Sequence, residues 1–133
     1  MTPHFADTFY FIAILNPRDE AHPRATALGS QMHNPLVTTA WILTEVADAL
    51  AQPPSRELFG RLLSHLRTDP RSTIIPPSDE LFQRGIDFYL QREDKQWSLT
   101  DCISFVVMRD QNLTEALTGD HHFEQAGFIA LLK

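Results

Sequence analysis

The sequence predicts an α/β domain, a parallel sheet with helices on both faces, because short apolar runs alternate along it with longer stretches of helical spacing. The short runs lack the polar alternation of a strand with one wet face. Each should therefore be buried on both sides. Proline, glycine and Asn-Pro pairs separate the pieces, and no internal repeat or low-complexity tract intervenes. The chain of 133 residues, 43% of them hydrophobic, is long enough for one domain, 1–133, with a sizeable core.

The first strand is brief, Pro3 to Ala6, and the apolar stretch Thr8 to about Leu15 reads as a buried helix. Asn16-Pro17-Arg18-Asp19 breaks it. A second helix starts near Glu20, tolerates Pro23 in its first turn, and keeps Ala21, Ala25, Leu28 and Met32 at helical spacing until Asn34-Pro35. Leu36-Val37-Thr38 is the second strand. The helix from Thr39 buries Ile42, Leu43, Val46, Ala47 and Leu50 and carries Glu45 at the border of that stripe. After the turn Gln52-Pro53-Pro54-Ser55, Ser55 is placed to cap a helix holding Leu58, Phe59, Leu62, Leu63 and Leu66. Thr73-Ile74-Ile75, stopped by two prolines, is the third strand, and Ser78-Asp79-Glu80 opens a helix with Leu81, Phe82, Ile86 and Leu90 inside. Gln91 to Gln96 is a loop, and Ser98 caps the helix of Asp101. Two late strands, around Ala116-Leu117-Thr118 and Phe128 to Leu131, flank a helical turn at His122 to Ala126.

Seventeen acidic against eleven basic residues give a net charge of −6, which argues against a broad basic surface gripping nucleic acid by charge alone. Two bound divalent cations would bring the total to about −2, so the charge does not exclude a phosphate substrate. Cys102 is the only cysteine, and no disulfide can form within the chain. In its apolar helical run it reads as a buried, inert thiol. No basic segment leads into an apolar stretch at the N-terminus, and no window reaches ~18 uninterrupted apolar residues. The expectation is a soluble, cytoplasmic protein with no membrane contact.

Asp7, Glu45, Asp101 and Asp120 carry the chemistry. Each sits where a strand should end or a helix begin, and none has a lysine or arginine beside it. In a parallel sheet the ligand site lies outside the carboxyl ends of the strands, where the winding direction reverses. If the first three strands wind one way and the last two the other, Asp7 and Asp120 flank that crevice. Four carboxylates in one cleft would repel one another until a hard cation such as Mg²⁺ or Mn²⁺ entered. Paired cations ~4 Å apart can activate water against a phosphodiester and stabilise the departing oxygen.

Each acid also has an ordinary reading. Ser98-Leu99-Thr100-Asp101 fits a capping box, in which the acid reaches back to a backbone amide. Asp7 fits a helix cap, Asp120 a turn residue after Gly119, and Glu45 a solvated helix border with Asp48 one turn on. His121-His122 read as loop residues, although contact with substrate phosphate or a softer metal is open to them. Phe123 and Phe128 read as core, and Trp41 and Trp97 as packing rather than base stacking. Thr8, Thr118 and Ser104 are small polar residues able to hold waters or ligands behind the acids.

The segments Phe5-Ala6-Asp7-Thr8, Thr38 to Val46, Leu99 to Phe105 and Leu117 to Phe128 together resemble the PIN-domain family, and within it most closely the VapC-type toxins of toxin-antitoxin modules. The resemblance spans nearly the whole chain. It implies a metal-dependent endoribonuclease on a three-layer α/β/α sandwich, with a parallel five-stranded sheet of order 3-2-1-4-5. The family's acids fall on Asp7, Glu45, Asp101 and Asp120 as catalytic and Mg²⁺- or Mn²⁺-binding residues, supported by Thr8 and Thr118. It further implies an RNA substrate, a small antitoxin partner and a homodimer. Members often carry asparagine or serine at or near the position after the first acid and a basic residue where His121 stands; these departures bear on substrate contacts more than on the metal site.

Two other readings compete. A phosphoaspartyl phosphatase or receiver-like domain also sets acids at strand ends, but here Phe9 stands two after Asp7, the third strand runs into Pro76-Pro77, and no lysine follows the last strand before Lys133. A catalytically silent module binding RNA or protein predicts erosion of one or more acids. All four are present.

Overall fold

In the computed structural model, which describes residues 1–133, five strands form one parallel sheet of order β3-β2-β1-β4-β5. In chain order the elements are β1 (His4–Ala6), α1 (Thr8–Leu15), α2 (His22–Gln31), β2 (Leu36–Thr39), α3 (Ala40–Ala49), α4 (Arg56–Thr68), β3 (Ser72–Ile75), α5 (Asp79–Gln91), α6 (Leu99–Asp110), β4 (Glu115–Leu117), α7 (His121–Gln125) and β5 (Ile129–Ala130). The first two crossovers step outward from β1, and the last two run to its other side. Right-handed crossovers therefore put α1 to α4 on one face and α5 to α7 on the other. The packing of α1 on α2 and α3, and of α5 on α6, agrees.

Alternation along β1 feeds both layers. Phe5 faces Phe123, which stands edge-on to Phe105 at 4.9 Å and 87°, while Trp97 closes on Phe105 at 5.1 Å. Every residue of α6 from Cys102 to Met108 is buried, which makes it the central helix of its layer. Burying Phe105 contributes several kcal/mol, and its loss to alanine costs roughly 3–5 kcal/mol.

Local signals set the ends of most helices. Thr39 caps α3 by accepting from the Ile42 amide, and Ser78 caps α5 by accepting from that of Leu81. Ser55 does not cap α4: it already has helical backbone angles, makes no side-chain cap, and donates its own amide to the Gln52 carbonyl. A helical residue cannot swing its hydroxyl over the first turn as an extended one does. The last strand covers two residues rather than four, because its sole neighbour β4 offers only Glu115 and Ala116 as partners. No helix is long and apolar enough to cross a membrane.

Between β1 and β4 the winding reverses, and these neighbours pair through Phe5 with Ala116 and Ala6 with Leu117. Asp7 and Thr118 are the next residues on each. The sheet thus opens its crevice between them.

Candidate metal-binding cleft

At that crevice a cleft of about 530 Å³ is lined by Asp7, Thr8, Phe9, Glu45, Gln96, Ser98, Asp101, Asp120 and His122. All four acids come from different elements: Asp7 from the end of β1, Glu45 from α3, Asp101 from the first turn of α6, and Asp120 from the residue before α7. No lysine or arginine lines it.

Asp7 occupies the cap position of α1, yet its side chain makes no cap bond. Its Oδ2 instead accepts from the buried Thr118 hydroxyl at 2.8 Å, across the gap between β1 and β4. Thr118 Oγ1 also accepts from the Asp120 amide at 3.0 Å, so one hydroxyl ties two acids together. Asp101 does form the capping box, exchanging bonds with Ser98 at 3.1 and 3.0 Å. The same oxygen, Oδ2, also lies 3.0 Å from His122 Nδ1. Capping and exposure to the cleft therefore coexist in Asp101. Asp120 Oδ1 accepts from the His122 amide at 2.9 Å and caps α7, while the Thr8 hydroxyl donates to Glu45 Oε1. Asp48, by contrast, is exposed and outside the cleft.

A common pattern emerges from these bonds. Asp7 Oδ2, Glu45 Oε1, Asp101 Oδ2 and Asp120 Oδ1 are each held by the protein, and the other oxygen of each carboxylate makes no hydrogen bond to it. Every acid is oriented and half free.

Burial dominates the electrostatics. Asp7, only 6% exposed, has its carboxyl pushed up to about 7, first by desolvation; the Thr118 hydroxyl pulls it back, and the charges of Asp101 and Asp120 raise it further. Asp101 is raised as well, again by burial first, against the Ser98 amide and His122 and with the charge of Asp120. Mutual repulsion is thus the smaller part of the strain that the sequence suggested. A hard divalent cation fits this donor set: it prefers carboxylate oxygens as ligands, and its charge offsets the cost of holding them ionised away from water.

The histidine pair divides. His121 is exposed, with Nδ1 3.7 Å from Asp120, whereas His122 turns inward between Asp101 and Asp120. His122 is the cleft residue that sequence reasoning undervalued; its place two residues after a capping acid, in the first turn of a helix, was the available signal. Ser104 stays out of the cleft, fully buried with an unpartnered hydroxyl. Cys102 is fully buried and its thiol is pushed up to about 11, mainly by desolvation, which leaves it no thiolate for nucleophilic attack. Gly119, between Thr118 and Asp120, lies under the Phe9 ring; a Cβ there would stand 2.5 Å from Phe9 Cζ.

The family model for the PIN domain matches residues 5–129. The 23S rRNA-specific endonuclease VapC20 of Mycobacterium tuberculosis, in strains CDC 1551 and H37Rv, is 24% identical over 128 residues, spanning 94% of this chain and 95% of the relative. The crystal structure of M. tuberculosis VapC20, described as a Sarcin-Ricin loop cleaving toxin, superposes with a TM-score of 0.85 at 22% identity over 94% of this chain and 95% of that one. FitAcB from Neisseria gonorrhoeae superposes with a TM-score of 0.63 at 18% identity, over 95% and 94% respectively. At these identities the two structures speak for the fold.

Proposed function

This chain belongs to the PIN-domain family, and from that premise we propose that it is a divalent-metal-dependent endoribonuclease, the toxin of a VapC-type toxin-antitoxin module. The observation that carries the reading is the set of four oriented carboxylates in one cleft, each keeping an oxygen that no protein group occupies. Asp7, Glu45, Asp101 and Asp120 would hold Mg²⁺ or Mn²⁺, which when bound supplies Lewis-acid polarisation of the phosphate and a water of lowered pKa.

What the chain itself does follows from its bonds. Thr118 fixes Asp7 and the Asp120 backbone in one spacing. The Ser98 amide and His122 fix Asp101, and Thr8 fixes Glu45. Holding one oxygen of each acid sets where the other lies before any ligand arrives, which reduces the ordering cost of binding. Hydrolysis by water also suits a cleft whose hydroxyls are spent on orienting acids and whose nearest thiol is buried.

The 23S rRNA named for the mycobacterial relative is the first RNA to test. A small antitoxin partner, a homodimer and a cytoplasmic location belong to the same proposal. Wild-type protein should cut RNA with added Mg²⁺ or Mn²⁺, while Asp7→Asn and Asp101→Asn should each lose nearly all activity. Equal cutting by all three would identify a contaminating nuclease and sink the reading.

A further inference from the structure

Beside the acid cleft, and sharing Gln96 and Ser98 with it, runs a groove of about 850 Å³ lined also by Tyr89, Leu90, Arg92, Lys95 and Trp97, with Glu93 its one acidic residue. Arg92 and Lys95 are the only lysine or arginine side chains lining either hollow. We infer that this groove carries the RNA strand away from the cut, with Arg92 and Lys95 taking backbone phosphates outside the scissile one. The inference rests on the reading that RNA enters the acid cleft.

The physical need is plain. A polyanion approaching four carboxylates is repelled within a Debye length of about 8 Å wherever bound cations do not offset their charge, and the cleft has no lysine or arginine of its own to do so. Compensating side chains line the adjoining groove.

The groove is prepared for the task. Trp97, 4% exposed, forms a fixed base: its indole N–H donates to Gln125 Oε1 at 2.9 Å, and its ring lies 4.9 Å from the Arg92 guanidinium and 6.0 Å from Lys95 Nζ. Both cations are thus held over an aromatic face rather than waving in solvent. Their present partner is Asp94, at 3.1 and 3.6 Å, an exposed carboxylate. Arg92 grips it with two bonds, at 3.1 and 3.2 Å, and the pair lies in solvent, so a phosphate, which fits the same guanidinium fork, exchanges for the carboxylate rather than adding to it. Tyr89 and Leu90, 47% and 61% exposed, offer apolar surface to bases on the same wall. Gln96, exposed at the junction and bonded to nothing, can meet a ribose hydroxyl or a base edge.

The test measures binding of a short fluorescein-labelled single-stranded RNA by anisotropy across a salt series, on the Asp101→Asn background. Arg92→Ala with Lys95→Ala should weaken binding roughly tenfold at physiological salt and lower the slope of log K against log salt by about 1.4, two contacts at about 0.7 each. Arg61→Ala, on the far helix α4, should change neither. The exchange Arg92→Lys with Lys95→Arg keeps both charges and should keep the slope, which separates lost charge from a damaged fold. An unchanged affinity and slope in the double alanine variant, or no RNA binding by the parent, overturns the inference. RNA that binds through these two residues but is left uncut by the wild type defeats the nuclease reading instead.

Discussion

Replacing Asp7 by asparagine should abolish cleavage and yet make the metal-free protein more stable at alkaline pH. The side chain keeps its size, and its carbonyl oxygen can still accept from Thr118. What disappears is the need to hold a buried charge. Asp7 is raised from 3.8 to about 7 in the folded protein. A carboxyl raised on folding supports the fold while protonated: its contribution is complete below 3.8 and is lost as the pH climbs to about 7. At about 1.4 kcal/mol per pH unit, carrying this carboxyl into the fold costs about 4 kcal/mol at pH 8, where it stays ionised, and about 2 kcal/mol at pH 5, where it takes up a proton on folding. Urea unfolding in EDTA, followed by circular dichroism, reads that cost as the gap between wild type and Asp7→Asn, since the other carboxyls are common to both. The gap should favour asparagine and should shrink by about half between pH 8 and pH 5. Added Mg²⁺ should close it by stabilising only the wild type. An asparagine variant no more stable than wild type at pH 8, or a gap independent of pH, would refute the claim that burial strains Asp7.

Three smaller tests follow from neighbouring contacts. Thr118→Val deletes the hydroxyl shared by Asp7 and the Asp120 amide, and thermal melts should show a loss of about 2–4 kcal/mol, with kcat falling more than KM rises. His122→Ala removes the imidazole 3.0 Å from Asp101 and should weaken metal binding roughly 10- to 100-fold by calorimetry while leaving the fold intact. Gly119→Ala pushes a methyl into the Phe9 ring and should cost about 1–3 kcal/mol in chemical denaturation.

Much of this architecture was legible because its signals are local. Strand and helix alternation, Asn34-Pro35, Pro76-Pro77 and the Ser78 and Ser98 caps locate the elements from residues close in sequence. The sheet order came from family resemblance, since spacing alone leaves the winding open, and the structure bears it out. Ser55 misled because a serine after two prolines looks like a cap, and only its backbone angles reveal that it lies inside the turn. The gathering of Asp7, Glu45, Asp101 and Asp120 in one cleft was foreseen, but not the cause of their strain. Mutual charge can be counted in a sequence; desolvation depends on what covers Asp7, including Thr118, which is 111 residues away. His122 escaped for a similar reason, because which of two adjacent histidines turns inward is decided by the helix that Asp120 caps.

The central claim, that these four carboxylates exist to hold a divalent cation, is met most directly by calorimetric titration of Mn²⁺ into the metal-free protein. The account predicts saturable binding at or below millimolar metal by the wild type and its near loss in Asp101→Asn. No measurable heat at millimolar Mn²⁺, or the same isotherm from both proteins, would contradict it.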